Sequence, residues 1–511
     1  MKKEANQEEV DRSLKLIFKS SIFVFLGIVL SKVLSYLYRI VIARDFGPEV
    51  YGIFSLATMI LLFLVSFANL GLVEGILRFV SFYRGKNNIN KIRYVFRFSL
   101  YALFFSSILV GIILFLFADF ISLRFFHNPN LIIYLRIFSV LVPFYIFLYS
   151  FLSVIQAYEK IKVYSFILDF LENFLKLIFL LILIFLGFVA NAIIFSYILG
   201  VISVFLAAFL YCKYRLPEIF KKYTLSKKSE KDIKKKLISY SWPLVFSTLL
   251  YVLFSDIDSF CIGFFKDVTQ VGIYNAAVPI AALMVFSPVL FLRLFFPIIT
   301  REFSKKNTEL IKELSKQVQK WIMIVNVPLL FLIVLFPGAF INILFGSEYI
   351  TAENSLRFLA IGFFFNSLCL IFYNLISMVG KSKLILLNIL ITAILNIIIN
   401  ISLIPVMGIT GAAIGTMISY FVLMIIFFFQ VRHYLSIIPL KKEMYGVILS
   451  ATIPLVLLIF LKQLVPYNLL NLFLLVLFYG LSYLLLIFLT KSLDDNDLMI
   501  LSTLKNKFFK K

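Results

Sequence analysis

The sequence contains few residues of the kinds that perform covalent or metal chemistry. Its 511 residues include only three cysteines and two histidines. Cys212, Cys261 and Cys369 lie in or beside apolar runs without pairing or metal-ligand spacing, so we expect three small buried hydrophobic residues. The two histidines are 306 residues apart, and no nucleophile, base and acid form a catalytic pattern. We therefore expect no catalytic residue, no metal site and no cofactor.

Charge is also scarce, and it is unbalanced. Only 15% of the residues are charged and 62% are hydrophobic, with a mean hydropathy of +1.02. No globular surface could cover that much apolar area, which excludes a soluble protein. The net charge of +23 resides in short basic segments between apolar runs. Such segments orient membrane helices, so we expect a lipid bilayer as partner and no nucleic acid.

Fourteen apolar runs are long enough to span a bilayer, which predicts an all-α integral membrane protein with 14 transmembrane helices. The approximate limits of these runs are 20–43, 51–82, 94–117, 131–157, 163–187, 190–212, 237–262, 272–300, 320–337, 355–379, 384–405, 410–431, 444–462 and 468–490. Of the 49 Lys and Arg residues, 39 lie on the N-terminal side of the membrane, six lie on the opposite side and four lie within runs. This bias predicts a cell-membrane protein with both termini in the cytoplasm.

The first apolar run carries charge at its centre. Residues 20–43 would form about 36 Å of helix, and Lys32 lies halfway along it. A central charge on a lipid-facing helix costs about 3 kcal/mol, so we expect Lys32 to face a protein interior or a wet cavity. Arg39 lies two turns further on the same face, and Ser35 flanks that face. The pattern predicts a cationic stripe suited to a transport pathway.

The sequence repeats itself with an offset of about 220 residues. Gly52 aligns with Gly272 at an offset of 220, and the turn 160–162 aligns with 381–383 at an offset of 221. Six helices per repeat is an even number, so the two repeats are parallel and predict a substrate site between two lobes. The predicted units are an N-terminal lobe, 1–220, a C-terminal lobe, 221–440, and an appendix of two helices with a cytoplasmic tail, 441–511.

The fifth run carries three charged residues on one helical face, Asp169, Glu172 and Lys176. Glu172 precedes Lys176 by four residues, the spacing and order that favour an ion pair within one helix. Either these three charged residues neutralise one another where helices pack, or they line the cavity. The sequence leaves both alternatives open.

Further charges lie in the seventh and eighth runs. Through the repeat, Asp256 and Asp258 align at a depth between Lys32 and Arg39, and only one of the two can point inward because they lie about 200° apart on a helix. We expect the side chain of Asp258 to extend outward, so that its carboxylate reaches water. Arg293 aligns beside Glu74, so the two could form a gate between the repeats, although separate local partners are favoured.

The acidic segment 494–497 follows the last apolar run. It has no second cluster of ligands, so we expect a solvated cap at the cytoplasmic side.

The link between the first two runs resembles a known family. The residues that carry the resemblance are Ala43-Arg44, Gly47-Pro48-Glu49, Tyr51-Gly52 and Leu70-Gly71-Leu72 followed by Arg78. They are similar to the signature of polysaccharide and oligosaccharide flippases in the multidrug/oligosaccharidyl-lipid/polysaccharide exporter superfamily, which also includes lipid II flippases. The resemblance implies transport of a polyprenyl-diphosphate-linked sugar to the outer leaflet by alternating access, with glycan-assembly enzymes as candidate partners.

The predicted functional residues fall into two groups. The residues expected to bind substrate in the cavity are Lys32, Arg39, Ser35, Asp256 and Arg293. The candidates for gating or ion pairing are Glu74, Arg78, Asp258, Asp169, Glu172 and Lys176. Lys32 and Arg39 would oppose the charge of the diphosphate.

Two other functions remain open. A membrane-embedded glycosyltransferase or polymerase could use the same lipid-linked substrate, but no segment outside the membrane exceeds about 25 residues, which leaves no room for a soluble catalytic domain. A drug or cation antiporter of the same superfamily is the alternative among transporters. Twelve helices would be usual there, so the runs 444–462 and 468–490 favour the sugar exporter.

Overall fold

A computed structural model describes the backbone of residues 2–188, 191–464, 469–490, 492–494 and 497. Its description of side chains leaves out 2–29, 247, 250, 251, 253–255, 293, 294 and 469 within those ranges. Every regular element in the described ranges is a helix, and this confirms the all-α prediction.

The described chain forms eighteen α-helices. They are α1 (Lys2–Ala68), α2 (Leu72–Gly85), α3 (Ile89–Phe120), α4 (Asn130–Ser139), α5 (Leu141–Ala157), α6 (Ile161–Ser165), α7 (Glu172–Phe185), α8 (Ala192–Arg215), α9 (Lys227–Phe265), α10 (Val268–Ala281), α11 (Phe286–Ser304), α12 (Thr308–Leu335), α13 (Pro337–Leu344), α14 (Glu353–Met378), α15 (Ser382–Met407), α16 (Ile409–Leu435), α17 (Glu443–Leu464) and α18 (Leu469–Leu489). Two short π-helical segments, Ile121–Phe125 and Phe166–Leu171, follow α3 and α6.

Ten helices of the described chain are long and apolar enough to cross a membrane, or eleven if the bent pair α4 and α5 is one span. The chain is therefore a multi-pass membrane protein. Several of the fourteen predicted runs are bent or continuous with a neighbour; the first two lie largely within α1, for example. The number of fourteen spans stays a prediction.

The long helix α1 is bent at Gly47. This residue has φ 79° and ψ 174°, a conformation that essentially only glycine adopts. Pro48 follows, and at the start of a new helical arm its missing N–H costs no hydrogen bond. The Gly-Pro pair thus turns the chain between two helical arms.

Helix α3 shows how these helices pack. Its buried face carries Ser99, Ser107 and Gly111, whereas Phe105 and Leu116 are among the most exposed large apolar side chains of the described residues. Small residues let helix backbones approach closely, and large apolar side chains are compatible with lipid. This arrangement is typical of a helix that packs on protein on one side and faces hydrocarbon on the other.

The described residues form two compact units. One comprises Gly27–Asn275 together with Ile404–Ile409, and the other comprises the remaining described residues. In the second unit, a core of buried apolar residues that includes Phe295, Trp321 and Phe427 joins α11, α12 and α16. The lobe limits derived from the sequence repeat stay a prediction.

Candidate functional site

The guanidinium group of Arg39 lies in a polar cluster formed by the two arms of α1 and by α9. Arg39 is hydrogen-bonded to the phenol of Tyr51 and lies within electrostatic reach of Tyr36 and Asp256. The Tyr51 ring is fully buried, and its hydroxyl donates to the carbonyl oxygen of Asn275 at 3.2 Å. The turn at Gly47 allows Arg39 and Tyr51 to meet, because it folds the second arm of α1 back. The structure therefore brings two predicted site residues, Arg39 and Asp256, into one cluster.

Lys32 directly follows Ser31, which contacts the second π-helical segment. The hydroxyl of Ser31 donates to the carbonyl oxygen of Asp169 at 2.8 Å, and the amide of Asn173 donates to the same oxygen at 2.8 Å. The side chain of Lys32 is exposed and lies within electrostatic reach of Arg39 and Asp169. Two cations and a carboxylate thus share one electrostatic environment. Ser35 is half-buried on the same helix.

The predicted ion pair between Glu172 and Lys176 is present; Lys176 is buried and Glu172 is partly buried. The two side chains are 2.7 Å apart. The ammonium group of Lys176 also lies 4.0 Å from the ring centre of Tyr197 and donates to the hydroxyl of Tyr145 at 3.3 Å. Those two tyrosine hydroxyls are 2.7 Å apart. The charge of Lys176 is therefore balanced by one carboxylate and surrounded by aromatic rings, an arrangement that stabilises a cation away from water.

Asp258 does not reach outward, contrary to expectation. Its side chain is buried, and the hydroxyl of Tyr274 donates to it at 2.5 Å. The next residues on the two helices repeat this contact, since the amide of Asn275 donates to Ser259 at 3.0 Å. A tyrosine on α10 satisfies the carboxylate inside the protein, so the side chain has no need to reach water.

Glu74 and Arg78 have separate local partners. The amide of Asn69 donates to both carboxylate oxygens of Glu74, at 3.2 and 3.1 Å, and thereby ties the start of α2 to the end of α1. Arg78 stacks over the ring of Tyr240 with 4.0 Å between the guanidinium carbon and the ring centre. The side chain of Arg293 lies outside the described residues, so the predicted gate with Glu74 stays a prediction.

An apolar cavity of about 350 Å³ lies beside the polar cluster that contains Arg39 and Asp256. The second arm of α1, the first π-helical segment and α9 form its walls. The lining residues are Met59, Ile60, Phe63, Leu64, Ile121, Phe125, Phe126, Val252, Asp256, Ile257 and Phe260. Asp256 therefore contributes to the wall of the cavity as well as to the surroundings of Arg39.

The two glycines that the sequence repeat aligns pack against each other. A Cβ atom added to Gly52 would lie 2.9 Å from the backbone nitrogen of Gly272 and well inside van der Waals contact with the carbonyl oxygen of Val268. A Cβ atom added to Gly272 would lie 2.9 Å from the nitrogen of Gly52 and would overlap the carbonyl oxygen of Pro48. The second arm of α1 and the start of α10 are thus in direct backbone contact.

The sequence missed a buried ionic cluster. Lys320 of α12 is fully buried and forms ion pairs with Asp494, at 3.0 Å, and with Asp497. Lys441 pairs with Asp494, and the indole of Trp321 donates to Asp497 at 2.8 Å. The prediction of a solvated acidic cap is therefore wrong for Asp494 and Asp497. The signal available in the sequence was the charge of Lys320 at the edge of an apolar run, which demands a buried carboxylate partner.

The two carboxyl groups of this cluster have opposite pKa shifts. Burial by itself would raise the pKa of Asp494, but the hydrogen bond from Lys441 and the charge of Lys320 hold that pKa well below its ordinary value. Burial raises the pKa of Asp497, and the charge of Lys320 opposes this effect. The cluster thus holds Asp494 firmly ionised.

Replacing Asp497 with asparagine is expected to lower the free energy of unfolding by about 3 kcal/mol, because Lys320 and Lys441 would then share the single carboxylate of Asp494 and one positive charge of the cluster would be uncompensated. Thermal unfolding of the detergent-solubilised protein measures the change. The matched control is Asp119→Asn, which removes a carboxylate from a half-exposed pair with Arg136 at 2.7 Å and should cost less than about 1 kcal/mol. Equal effects of the two substitutions would contradict a stabilising role for the buried cluster.

These observations define a class: a multi-pass helical membrane protein that holds charged groups between its membrane-spanning helices, as transporters do. The profile of the family described as "Polysaccharide biosynthesis protein" matches residues 17–301, more than half of the chain. The chain belongs to this family. The profile of the MatE family matches residues 243–402. The resemblance to polysaccharide flippases seen in the sequence is thereby confirmed.

Individual proteins resemble the chain over different lengths. An uncharacterised membrane protein of Methanocaldococcus jannaschii is 25% identical over 88% of this chain and 90% of its own length. A Haloferax volcanii protein named "Probable low-salt glycan biosynthesis flippase" is 29% identical over 44% of this chain and 46% of its own length. The solved structure of the lipid II flippase MurJ in an inward closed conformation aligns over 91% of this chain and 98% of its own chain, with 16% identity and a TM-score of 0.73. That likeness shows a shared fold.

Proposed function

We propose that the protein is a flippase that moves a polyprenyl-diphosphate-linked oligosaccharide, a precursor of a polysaccharide, cell wall or other glycan, from the cytoplasmic to the outer leaflet. The transport proceeds by alternating access between two six-helix lobes, 1–220 and 221–440. The protein lies in the cell membrane with both termini in the cytoplasm, as the distribution of Lys and Arg predicts.

The observation that carries this proposal is the pair of cations on α1. Lys32 and Arg39 lie within electrostatic reach of each other, halfway along and near the end of the first apolar run. Two such charges on a membrane-spanning helix are costly unless an anionic group offsets them during function. Asp169 and Asp256 offset them partly in the absence of substrate. A diphosphate would supply two further negative charges with strong acceptor oxygens.

Two comparisons support the same assignment. The Haloferax volcanii relative is named as a probable flippase of glycan biosynthesis, and the solved structure that shares the fold, with a TM-score of 0.73, is titled a lipid II flippase. Both names describe flippases. The family profile connects this chain to polysaccharide biosynthesis over residues 17–301.

The direct test is transport by the purified protein in sealed liposomes that contain a fluorescent lipid-linked oligosaccharide. The expected result is protein-dependent appearance of the sugar on the opposite leaflet, detected by a membrane-impermeant quencher. Repeating the assay with an imposed membrane potential shows whether the potential drives transport. A rate no faster than that of protein-free liposomes, for lipid-linked sugars of several compositions, would contradict the proposal.

A drug or cation antiporter of the same superfamily is the second candidate, and the match to the MatE profile over residues 243–402 supports it. The same liposomes distinguish the two. An antiporter would exchange a soluble organic cation for protons or Na⁺ and would leave the lipid-linked sugar in place, whereas the proposed flippase would move the lipid-linked sugar.

A further inference from the structure

A second pocket, which is polar, lies where α2 packs against the N-terminal half of α9. Its volume is about 590 Å³. The residues that line it are Arg78, Phe79, Asp232, Lys235, Lys236, Ser239 and Tyr240. Apart from Arg78, none of them belongs to the site residues predicted from the sequence. The pocket combines three cations and one carboxylate with two hydroxyl groups and two aromatic rings.

Close packing of two helices forms this pocket. A Cβ atom added to Gly71 would overlap the carbonyl oxygen of Ser241, and one added to Gly75 would lie 2.6 Å from the Ser241 hydroxyl oxygen. The two glycines therefore let α2 approach the backbone of α9, which places Arg78, one turn beyond Gly75, against α9. There the guanidinium carbon lies over the ring of Tyr240, 4.0 Å from the ring centre, so an aromatic surface helps to position the cation.

The charge of the pocket suits a dianion. Lys236 pairs with Asp232 at 2.8 Å, and Arg78 and Lys235 add two positive charges to that neutral pair. All four charged side chains are exposed to solvent, so a ligand can reach them. Guanidinium and ammonium groups bind phosphate oxygens with charge-assisted hydrogen bonds, and the Ser239 hydroxyl can donate another.

The next turn of α9 indicates a ligand anchored in the membrane. Trp242 and Phe246 are 60% and 54% exposed and pack edge to face, with 5.4 Å between ring centres. Exposed tryptophan is typical of the boundary between headgroups and hydrocarbon, and the Lys-rich start of α9 suits an anionic leaflet surface. A cationic pocket thus lies directly beside an apolar aromatic surface on one helix.

We propose that this pocket binds the diphosphate group of a membrane-anchored lipid at the headgroup level. The diphosphate occupies the space between Arg78 and Lys235, and the first carbons of the lipid chain lie along Trp242 and Phe246. This inference rests on the proposed function in one respect, because the natural ligand would be the lipid-linked sugar before transport. Its residues differ from Lys32 and Arg39, so the two proposals can fail separately.

The test measures binding of farnesyl diphosphate to the full chain in nanodiscs of neutral phosphatidylcholine. The chain has two tryptophans, and Trp321 is buried within the other compact unit, so Trp242 reports on the pocket. We expect saturable quenching of fluorescence that Trp242→Phe abolishes. Arg78→Gln and Lys235→Gln should each weaken binding roughly tenfold, since each removes a charge-assisted contact.

Two further variants make the expected result specific. Asp232→Asn removes the single carboxylate of the pocket lining and should tighten binding. Lys234→Gln is the matched control: it removes the same charge one residue away, but Lys234 lies over the ring of Phe98 at 5.3 Å, outside the pocket. Unchanged affinity in Arg78→Gln and Lys235→Gln, or equal losses in Lys234→Gln, would overturn the proposal.

Competitors distinguish the source of the phosphate. Farnesol, which lacks phosphate, should not compete, and inorganic pyrophosphate should compete only weakly because it has no apolar chain. If pyrophosphate binds as tightly as farnesyl diphosphate, the proposal that the ligand is anchored in the membrane is overturned. If phosphatidylglycerol in the nanodisc binds equally well, the proposal that the pocket selects a diphosphate is overturned. The binding assay does not require transport. Loss of binding in Arg78→Gln and Lys235→Gln therefore supports the proposed binding pocket even if the liposome assay shows no flipping.

Discussion

Lys32→Ala is expected to reduce export of the lipid-linked sugar by roughly tenfold to more than 100-fold while the protein stays folded in the membrane. A hydrogen bond or ion pair to a charged group is worth about 1.5–3 kcal/mol, and the diphosphate would lose such a contact. The side chain of Lys32 is exposed, so the substitution leaves no cavity in the packed interior. Transport in sealed liposomes measures the loss, and size-exclusion chromatography verifies the fold.

Two replacements at the same position separate charge from shape. Lys32→Arg keeps the positive charge and should retain more transport than Lys32→Gln, which keeps a polar side chain without charge. Lys221→Ala is the matched control, because Lys221 is an exposed lysine in the segment between α8 and α9. Equal transport by the Arg and Gln variants would indicate a packing role for Lys32 in place of an electrostatic one.

Gly272→Ala is expected to lower transport more than about 100-fold. Its Cβ atom would overlap the carbonyl oxygen of Pro48 and lie 2.9 Å from the nitrogen of Gly52, so the start of α10 and the second arm of α1 would have to separate. Backbone atoms cannot rotate away as a side chain can, and a cost of about 3 kcal/mol or more disfavours any state in which these helices touch. An alternating-access cycle that requires this contact would then stop.

The same contact predicts the effect of an alanine substitution at Gly52. Gly52→Ala should have a similar effect, and the double variant should be little worse than either single variant, because each one already separates the same two helices. Gly480→Ala on α18 is the control, since a Cβ atom there meets no atom within 4 Å. The transport rate of each variant, at matched amounts of folded protein, measures these effects. Normal transport by Gly272→Ala would show that the contact is not needed in the cycle.

Several features of the chain could be predicted because they depend on neighbouring residues. The Gly47-Pro48 turn follows from the conformational freedom of glycine and the fixed geometry of proline. The pair formed by Glu172 and Lys176 follows from a spacing of four residues on one helix. The all-helical class follows from composition, since lipid demands that backbone groups be satisfied within each helix.

Other features involve partners that are far apart in the sequence, and prediction failed for some of them. The expectation that Asp258 reaches outward ignored Tyr274, which lies on the next helix and supplies a donor at 2.5 Å. The acidic segment at 494–497 was expected to be solvated because the sequence shows no second cluster of ligands for it. Its partner, Lys320, is 177 residues away from Asp497.

The sequence by itself determined that the chain is a helical membrane protein of the polysaccharide biosynthesis family, and it determined which short segments turn or carry charge. The tertiary structure decided which residues meet: Gly52 with Gly272, Asp497 with Lys320, and Arg39 with Tyr51 and Asp256. The physical reason is that lipid and protein interior are both apolar, so hydropathy locates a helix in the membrane without specifying its rotation or neighbours. Only close packing of small residues and pairing of buried charges select one arrangement.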